Sequence, residues 1–268
     1  MGSWLLGALD DTDALPSFAA AGADRIVLDF AECRVEGRPR DEIREAARDW
    51  LRAQQQQVLA HKRFERWVRI GGLASPDWRG DLAAAMTGAP DGVMLGAVND
   101  PAELQEMAAL IYEYEQREHL PHNSIRIAPS LGGTARAALF IRDFADAMHP
   151  RVDALTWSAE NLAKAIGANR HRKPDGSWID PLAQTRSQVI LLAHAHRFEV
   201  IEAPCPARTE ERLVNVAAKI ARTDGCQSMM AFSASHVAAI AAAFGSGKRR
   251  IGGSDELSTL DKPMLNVA

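Results

Sequence analysis

The sequence predicts a single closed (β/α)8 TIM barrel, and three observations support this fold. Apolar strand-like runs alternate with amphipathic helical stretches along the chain, which is the pattern of repeated βα units. Eight strand candidates occur before residue 245, the number that a closed barrel needs. No G-x-G-x-x-G or P-loop motif follows any of them, which argues against an open dinucleotide-binding sheet.

The strand candidates are short apolar runs bounded by glycine, proline or polar segments. In chain order they are Trp4–Leu9, Arg25–Phe30, Trp67–Ile70, Gly92–Val98, Ser124–Ala128, Val152–Trp157, Glu199–Ala203 and Ser228–Phe232. Helical patterns lie between them, and many begin at Pro, Thr, Ser or Asp, which favour helix starts. They are Asp41–Gln56, Pro101–Leu120, Thr134–Met148, Pro181–His196, Thr209–Arg222 and Ser235–Phe244.

Two regions are expected along the chain. Residues 1–245 carry the alternating pattern and form the barrel. Residues 246–268 lose periodicity and form a loop-rich extension, either disordered or docked on a neighbouring subunit.

Composition narrows the functional classes. The chain has 268 residues, 47% of them hydrophobic and 25% charged, as in an ordinary globular protein. A net charge of −4 argues against nucleic-acid binding, because such binding relies on positively charged side chains that contact phosphates. No apolar run approaches the length of a membrane span, and the amino terminus is acidic where a secretory signal is basic, so we expect a cytoplasmic protein without a membrane partner. The three cysteines have no metal-ligand spacing and predict no disulfide framework.

Asp29 and Glu32 are the first candidates for a functional site. They follow the buried run Ile26-Val27-Leu28, and barrel enzymes place their chemistry where the strands end. The structural alternative is that Asp29 caps the following loop and that Glu32 is solvated.

Six segments resemble, in the same order, motifs of the HpcH/HpaI aldolase/citrate lyase family, in its citrate lyase beta-subunit-like branch. The segment GADRIVLDFAECRV is similar to the family's GADAVILDLEDAV pattern. The later segments are RWVRI, PDGVMLGAV, LTWSAENLAKAIG, TRSQVILLAHAHRFEVIEAP and DGCQSMMAFSASHV. The resemblance as a whole extends over the chain from about residue 3 to residue 245.

The resemblance implies an enzyme that makes or breaks a carbon–carbon bond beside a carbonyl, with an oxo-acid or a coenzyme A thioester as substrate. It also implies Mg²⁺ as cofactor and a homo-oligomer, a trimer or larger. Mg²⁺ would bind the oxygens of the oxo-acid, and an arginine would pair with its carboxylate.

The sequence departs from the family at both metal positions. By resemblance, the metal-ligating Glu after the fifth strand is replaced by Pro129, or by Ser130 if the register slips by one residue. The metal-ligating Asp after the sixth strand is replaced by Asn161. Proline cannot ligate a metal and an amide is a neutral ligand, so we expect a weak metal site at most.

Three polar residues remain as candidates, each with an alternative structural role. Arg69 matches the family's substrate-carboxylate arginine, although it could instead form an ion pair with Glu32 or a neighbour. Glu160, beside Asn161, could orient ligand or water, or support its loop. Glu202 ends the seventh strand where the family has Asp, and it could bind substrate or bond to the loop.

Two classes of function therefore stay open. The first is an active carbon–carbon lyase with a weakened metal site built from Glu32, Glu160 and Asn161 around Arg69, with Asp29 beside it. The second is a catalytically silent barrel that binds a carboxylate or CoA-type ligand, or that partners an active homologue. Fold alone does not separate them, because function depends on the site.

Overall fold

The computed structural model describes residues 2–9, 12–31, 39–58, 64–173 and 177–245. Here eight parallel strands close into a barrel in sequence order, and the last strand pairs with the first. The prediction of a single (β/α)8 TIM barrel is confirmed. The predicted extension over 246–268 lies outside the described residues, and so does Glu32. No helix in the described ranges is long and apolar enough to cross a membrane.

All eight strand candidates form strands, with small differences at their ends. The observed strands are β1 (Ser3–Ala8), β2 (Arg25–Asp29), β3 (Glu65–Ile70), β4 (Gly92–Val98), β5 (Arg126–Leu131), β6 (Ala154–Trp157), β7 (Glu199–Glu202) and β8 (Ser228–Ala231).

The helices of the described part pack outside the barrel. They are α1 (Leu15–Ala20), α2 (Arg40–Val58), α3 (Trp78–Thr87), α4 (Pro101–Arg117), α5 (Ala135–Leu139), α6 (Ala159–Ala165), α7 (Asp180–His196), α8 (Glu211–Thr223) and α9 (Ala234–Phe244). Side chains of Asp100, Thr134 and Ser233 accept hydrogen bonds from backbone amides in the first turns of α4, α5 and α9. These caps satisfy amides that have no partner within the helix.

Two elements differ from the prediction. The helix expected over Thr134–Met148 is the short α5 followed by a 3-10 turn at Ile141–Phe144. Ile141 and Phe144 are both buried, and their spacing of three residues matches the period of a 3-10 helix.

The fifth strand continues through Pro129, where the sequence predicted an end at Ala128. Pro129 lies opposite Leu95, and the register of β4 shifts immediately afterwards, between Leu95 and Val98. Proline lacks a backbone donor and is tolerated in sheets at such irregularities.

Nine side chains fill the middle of the barrel, and we call them the interior cluster. They are Trp4, Leu6, Val27, Trp67, Met94, Ala128, Ala154, Ile201 and Met230. The other buried apolar side chains form a second cluster between the sheet and the helices. Because successive side chains on a strand point to opposite faces, the interior cluster shows which strand residues face inward.

Charged side chains lie in the barrel near the amino ends of the strands. Arg25 pairs with Glu65 at 2.8 Å and with Glu199 at 2.9 Å, and Arg126 pairs with Glu65 at 2.9 Å. Burial alone would raise the pKa of Glu65, but the charges of Arg25 and Arg126 outweigh it and lower that pKa to about 2. These ion pairs fill the end of the barrel opposite to the strand carboxyl ends.

Candidate functional site

The carboxyl ends of the strands form one end of the barrel, which we call the mouth. Val27 and Trp67 belong to the interior cluster, so Asp29 and Arg69, two residues further along the same strands, also face inward. The sequence predicted both residues at strand ends. The structure brings them together because β2 and β3 are neighbours with Asp29 opposite Arg69.

Asp29 and Arg69 form a bidentate ion pair. Arg69 Nε donates to Asp29 Oδ1 at 2.8 Å, and Arg69 Nη2 donates to Oδ2 at 2.5 Å. Asp29 Oδ1 also accepts a hydrogen bond from the Ala31 amide at 3.0 Å, which is the loop-capping role expected as the alternative. Asp29 is 4% exposed, so the pair holds the guanidinium in one orientation at the mouth.

Glu160 and Asn161 lie in the first turn of α6, which follows β6 at the mouth. The Glu160 side chain is 63% exposed and pairs with Lys164 at 2.8 Å. This hydrogen bond is the main cause of a lowered Glu160 pKa, to which the positive charges of His171 and Arg69 contribute. The influence of Arg69 agrees with the expectation that both residues lie at the same end of the barrel.

Glu202 does not face the mouth, which corrects the expectation of a substrate-binding role there. Ile201 belongs to the interior cluster, so Glu202 points outward toward α7. Its carboxylate accepts hydrogen bonds from Arg186 Nε at 2.5 Å, Trp157 Nε1 at 2.9 Å and the Ala203 amide at 2.9 Å. Cys226 Sγ lies 3.8 Å from Glu202 Oε2 as a fourth, weak donor. Glu202 is 3% exposed and joins β6 and β7 to α7.

The inward residues of β5 and β6 near the mouth are hydroxyl side chains. Ala128 faces inward, so Pro129 faces outward and Ser130 faces inward. Thr156 lies beside Ser130 on β6 and also faces inward, two residues beyond Ala154. Sequence reasoning did not select Thr156, since a threonine within the run Ala154–Trp157 is an ordinary strand residue.

Glycines occupy several strand ends around the mouth. A Cβ on Gly72, after β3, would lie 2.8 Å from the Gly96 carbonyl oxygen. A Cβ on Gly133, after β5, would lie 3.6 Å from the Cβ of Asn161. The loops therefore pack closely here, and backbone groups can approach a ligand without side chains between them.

The described side chains at the mouth do not fit a Mg²⁺ ion. Mg²⁺ is usually held in proteins through one or two carboxylates in near-octahedral geometry. Asp29 is bonded to Arg69, Glu160 to Lys164, and Glu202 faces away. Across the described ranges, no group of three or more His, Cys, Asp or Glu residues could hold a metal ion.

A cavity lies at the opposite end of the barrel. This cavity of about 530 Å³ is lined by residues around the amino ends of β5 and β6, including Arg126, His149 and Arg151. Arg151 pairs with the buried Glu115 at 2.7 Å, and Arg126 pairs with Glu65 and Asp153. Both arginines are bonded within the protein, and barrel enzymes place their chemistry at the carboxyl ends of the strands, so the mouth is the better candidate.

Comparison with known proteins agrees with this architecture. The model of the HpcH/HpaI aldolase/citrate lyase family matches residues 2–233. A citrate lyase subunit beta-like protein of Mycobacterium tuberculosis (strain H37Rv) is 30% identical over 177 residues, which are 66% of this chain and 55% of that protein. The match thus spans about half the length of the curated relative.

Solved structures share the fold. A citrate lyase beta subunit of M. tuberculosis, complexed with oxaloacetate and magnesium, has a TM-score of 0.72 and 24% identity over 91% of this chain and 96% of that one. The CitE protein of M. tuberculosis, in complex with magnesium and acetoacetate, has a TM-score of 0.69 and 25% identity, covering 91% of this chain and 90% of that one. RipC of Yersinia pestis has a TM-score of 0.69 and 19% identity, covering 92% and 96%.

Proposed function

The chain belongs to the HpcH/HpaI aldolase/citrate lyase family, and we propose that its mouth binds a small oxo-acid or an acyl-CoA ester and promotes carbon–carbon bond cleavage or formation beside the carbonyl. Family membership supports an aldolase or CoA-ester lyase type of reaction. The observation that carries the proposal is the Asp29–Arg69 pair, which fixes a guanidinium at the mouth. Solved relatives contain oxaloacetate or acetoacetate with magnesium, and one also contains coenzyme A.

Arg69 suits both parts of this chemistry. A guanidinium is a planar fork of N–H donors that matches a carboxylate, and Asp29 holds that of Arg69 in one orientation. Cleavage beside a carbonyl leaves the electron pair of the broken bond on an enolate, and fixed positive charge stabilises the developing enolate oxygen. Because Asp29 neutralises Arg69, we expect weak ligand binding, with a Kd of about 1 mM.

The alternative is a catalytically silent barrel that binds the same ligands or partners an active homologue. The resemblance implies that Pro129 or Ser130 and Asn161 replace the metal-ligating positions, which favours this alternative because these groups are neutral. The Mg²⁺ implied by the family does not fit the described donors, so neither reading includes a metal-dependent step.

Deuterium exchange separates the two functions. Pyruvate and acetyl-CoA are each incubated with the protein in D₂O, and loss of the methyl proton signal is followed by ¹H NMR. An enolate-forming enzyme accelerates this exchange above the protein-free rate, since the enolate takes its new proton from solvent. Saturable binding of either compound without faster exchange would identify the silent alternative.

The contribution of Arg69 is measured in the same assay. Arg69→Ala should reduce exchange by about 100-fold or more, the usual effect of removing one group that stabilises a developing oxyanion. Arg117→Ala is the matched control, because Arg117 is an exposed arginine at the last turn of α4, away from the mouth. Equal rates for the wild type and Arg69→Ala would contradict the proposed site.

A further inference from the structure

We propose that the mouth binds an oxo-acid without a divalent cation, with the ligand carboxylate on Arg69 and its carbonyl oxygen on the Ser130 hydroxyl, which Thr156 positions from below. This inference rests on the proposed function, since it concerns the same ligand and the same site. It follows from the Ser130 and Thr156 hydroxyls, which face the mouth near a position where the resemblance implies a metal ligand.

Arg69 and Ser130 lie at the same depth in the barrel. Inward side chains from alternate strands of such barrels form layers of four. Trp4, Trp67, Ala128 and Ile201, on β1, β3, β5 and β7, form one layer within the interior cluster. Two residues closer to the mouth, the next layer includes Leu6, Arg69 and Ser130. Arg69 and Ser130 are its polar members, so one small ligand can contact both.

Thr156 has a buried hydroxyl without a partner. Its side chain is fully buried, and its Oγ1 forms no hydrogen bond in the part of the chain that the structure describes. An unpaired buried hydroxyl costs free energy, and such groups usually have a ligand, a water molecule or a functional role.

Ser130 provides the link between Thr156 and a ligand. It lies opposite Thr156 in the β5–β6 ladder, where adjacent strands are about 4.8 Å apart. Ser130 is 8% exposed and its hydroxyl makes no hydrogen bond with the described residues. By rotation about χ1, Ser130 can accept a hydrogen bond from Thr156 and donate its own proton to a carbonyl oxygen. Thr156 is then a positioning residue, because it acts through Ser130.

Space and charge agree with this arrangement. Beyond Leu95, where the β4 register shifts, the strand continues with Gly96 and Ala97, so β4 places only small residues between Arg69 and Ser130 at the mouth. The ligand carboxylate can accept hydrogen bonds from the Arg69 guanidinium, although Asp29 already balances its charge, and a neutral carbonyl oxygen requires only a donor such as a hydroxyl.

The assignment is tested by removing the carbonyl group from the ligand and the hydroxyl groups from the protein. The full chain is titrated by NMR with pyruvate and with propionate, which lacks the carbonyl, in EDTA and again in millimolar Mg²⁺. Wild type should bind pyruvate about threefold to tenfold more tightly than propionate, the value of one hydrogen bond. This preference should disappear in Ser130→Ala and decrease in Thr156→Val, and it should persist in Ser130→Thr. The exposed hydroxyl variant Thr223→Val should leave it unchanged.

Stability provides a second readout. Thr156→Val removes an unpaired buried hydroxyl, so its Tm should equal or exceed that of the wild type even though its preference for pyruvate falls. A damaged fold would lower both quantities.

Three results would overturn the inference. Pyruvate binding that requires Mg²⁺ and disappears in EDTA would refute metal-free recognition and leave the proposed function intact. Metal-free binding with an unchanged preference in Ser130→Ala would refute the hydroxyl assignment. Absence of pyruvate binding under both conditions would refute the inference, and absence of Arg69-dependent deuterium exchange would separately refute the proposed function.

Discussion

Substitution of Glu202 should reduce stability without affecting ligand binding, because this carboxylate lies outside the barrel lumen. In Glu202→Ala, the buried Arg186 guanidinium and the Trp157 indole N–H lose their acceptor. Removing one partner of a buried ion pair typically costs about 3–5 kcal/mol. Arg186 keeps its contact with Asp224 at 2.8 Å, so we expect a loss of about 3 kcal/mol, near the lower limit.

The free energy of unfolding is measured by urea denaturation followed by circular dichroism, and Tm by a thermal scan. A loss of about 3 kcal/mol corresponds to a Tm decrease of about 6–12 °C for a domain of this size. Glu202→Gln retains the side-chain shape and should lose about 2 kcal/mol, the value of a charge-assisted hydrogen bond.

Asp224→Ala is the matched control, because it removes the exposed partner of the same arginine. Its carboxylate is 42% exposed, and exposed ion pairs contribute at most about 1 kcal/mol. Equal losses in Glu202→Ala and Asp224→Ala would refute this account of the network. Loss of pyruvate binding in a folded Glu202→Gln protein would restore Glu202 as a ligand-binding residue.

Three further predictions concern metal affinity, assembly and acid stability. Calorimetry should show no saturable Mg²⁺ binding below about 1 mM, because the described mouth has no uncompensated pair of carboxylates; tight binding would mean that other carboxylates replace the family ligands. Light scattering at micromolar concentration should give the mass of a homo-oligomer, a trimer or larger, as the family resemblance implies; a monomeric mass would contradict this. Glu65 has a folded-state pKa of about 2, below its ordinary value of 4.5, so its stabilising effect is complete above pH 4.5 and is lost as the pH falls toward 2. In urea titrations, the free energy of unfolding should therefore decrease less in Glu65→Gln than in the wild type as the pH falls from 4.5 toward 2. The same decrease in both proteins would exclude this role for Glu65.

Strand number and order could be predicted from the sequence, because each strand is a distinct apolar run followed by a helical pattern. The closeness of Asp29 and Arg69 was also accessible, since both end consecutive strands of a parallel sheet. Their direct pairing required the register, which places them opposite each other.

The sequence could not predict whether the Glu202 side chain faces the barrel interior or the helices, because β7 is buried on both faces. The residues Val200 and Ile201 are apolar on opposite faces of the strand, so no alternation of polarity reveals which side Glu202 takes. For the same reason, the choice between Pro129 and Ser130 as the inward residue depended on the observed position of Ala128. The sequence also could not distinguish the unpaired Thr156 hydroxyl from an ordinary strand threonine.

Metal-free recognition at the mouth can be seen directly in a crystal structure of the full chain with pyruvate and Mg²⁺. We expect pyruvate at the mouth, with its carboxylate within hydrogen-bond distance of Arg69, its carbonyl oxygen beside Ser130 Oγ, and no metal ion bridging it to the protein. Pyruvate bound at the opposite end of the barrel, near Arg126 and His149, would contradict the assignment of the mouth as the ligand site. A Mg²⁺ ion coordinated by Asp29 and the oxo-acid would contradict metal-free recognition.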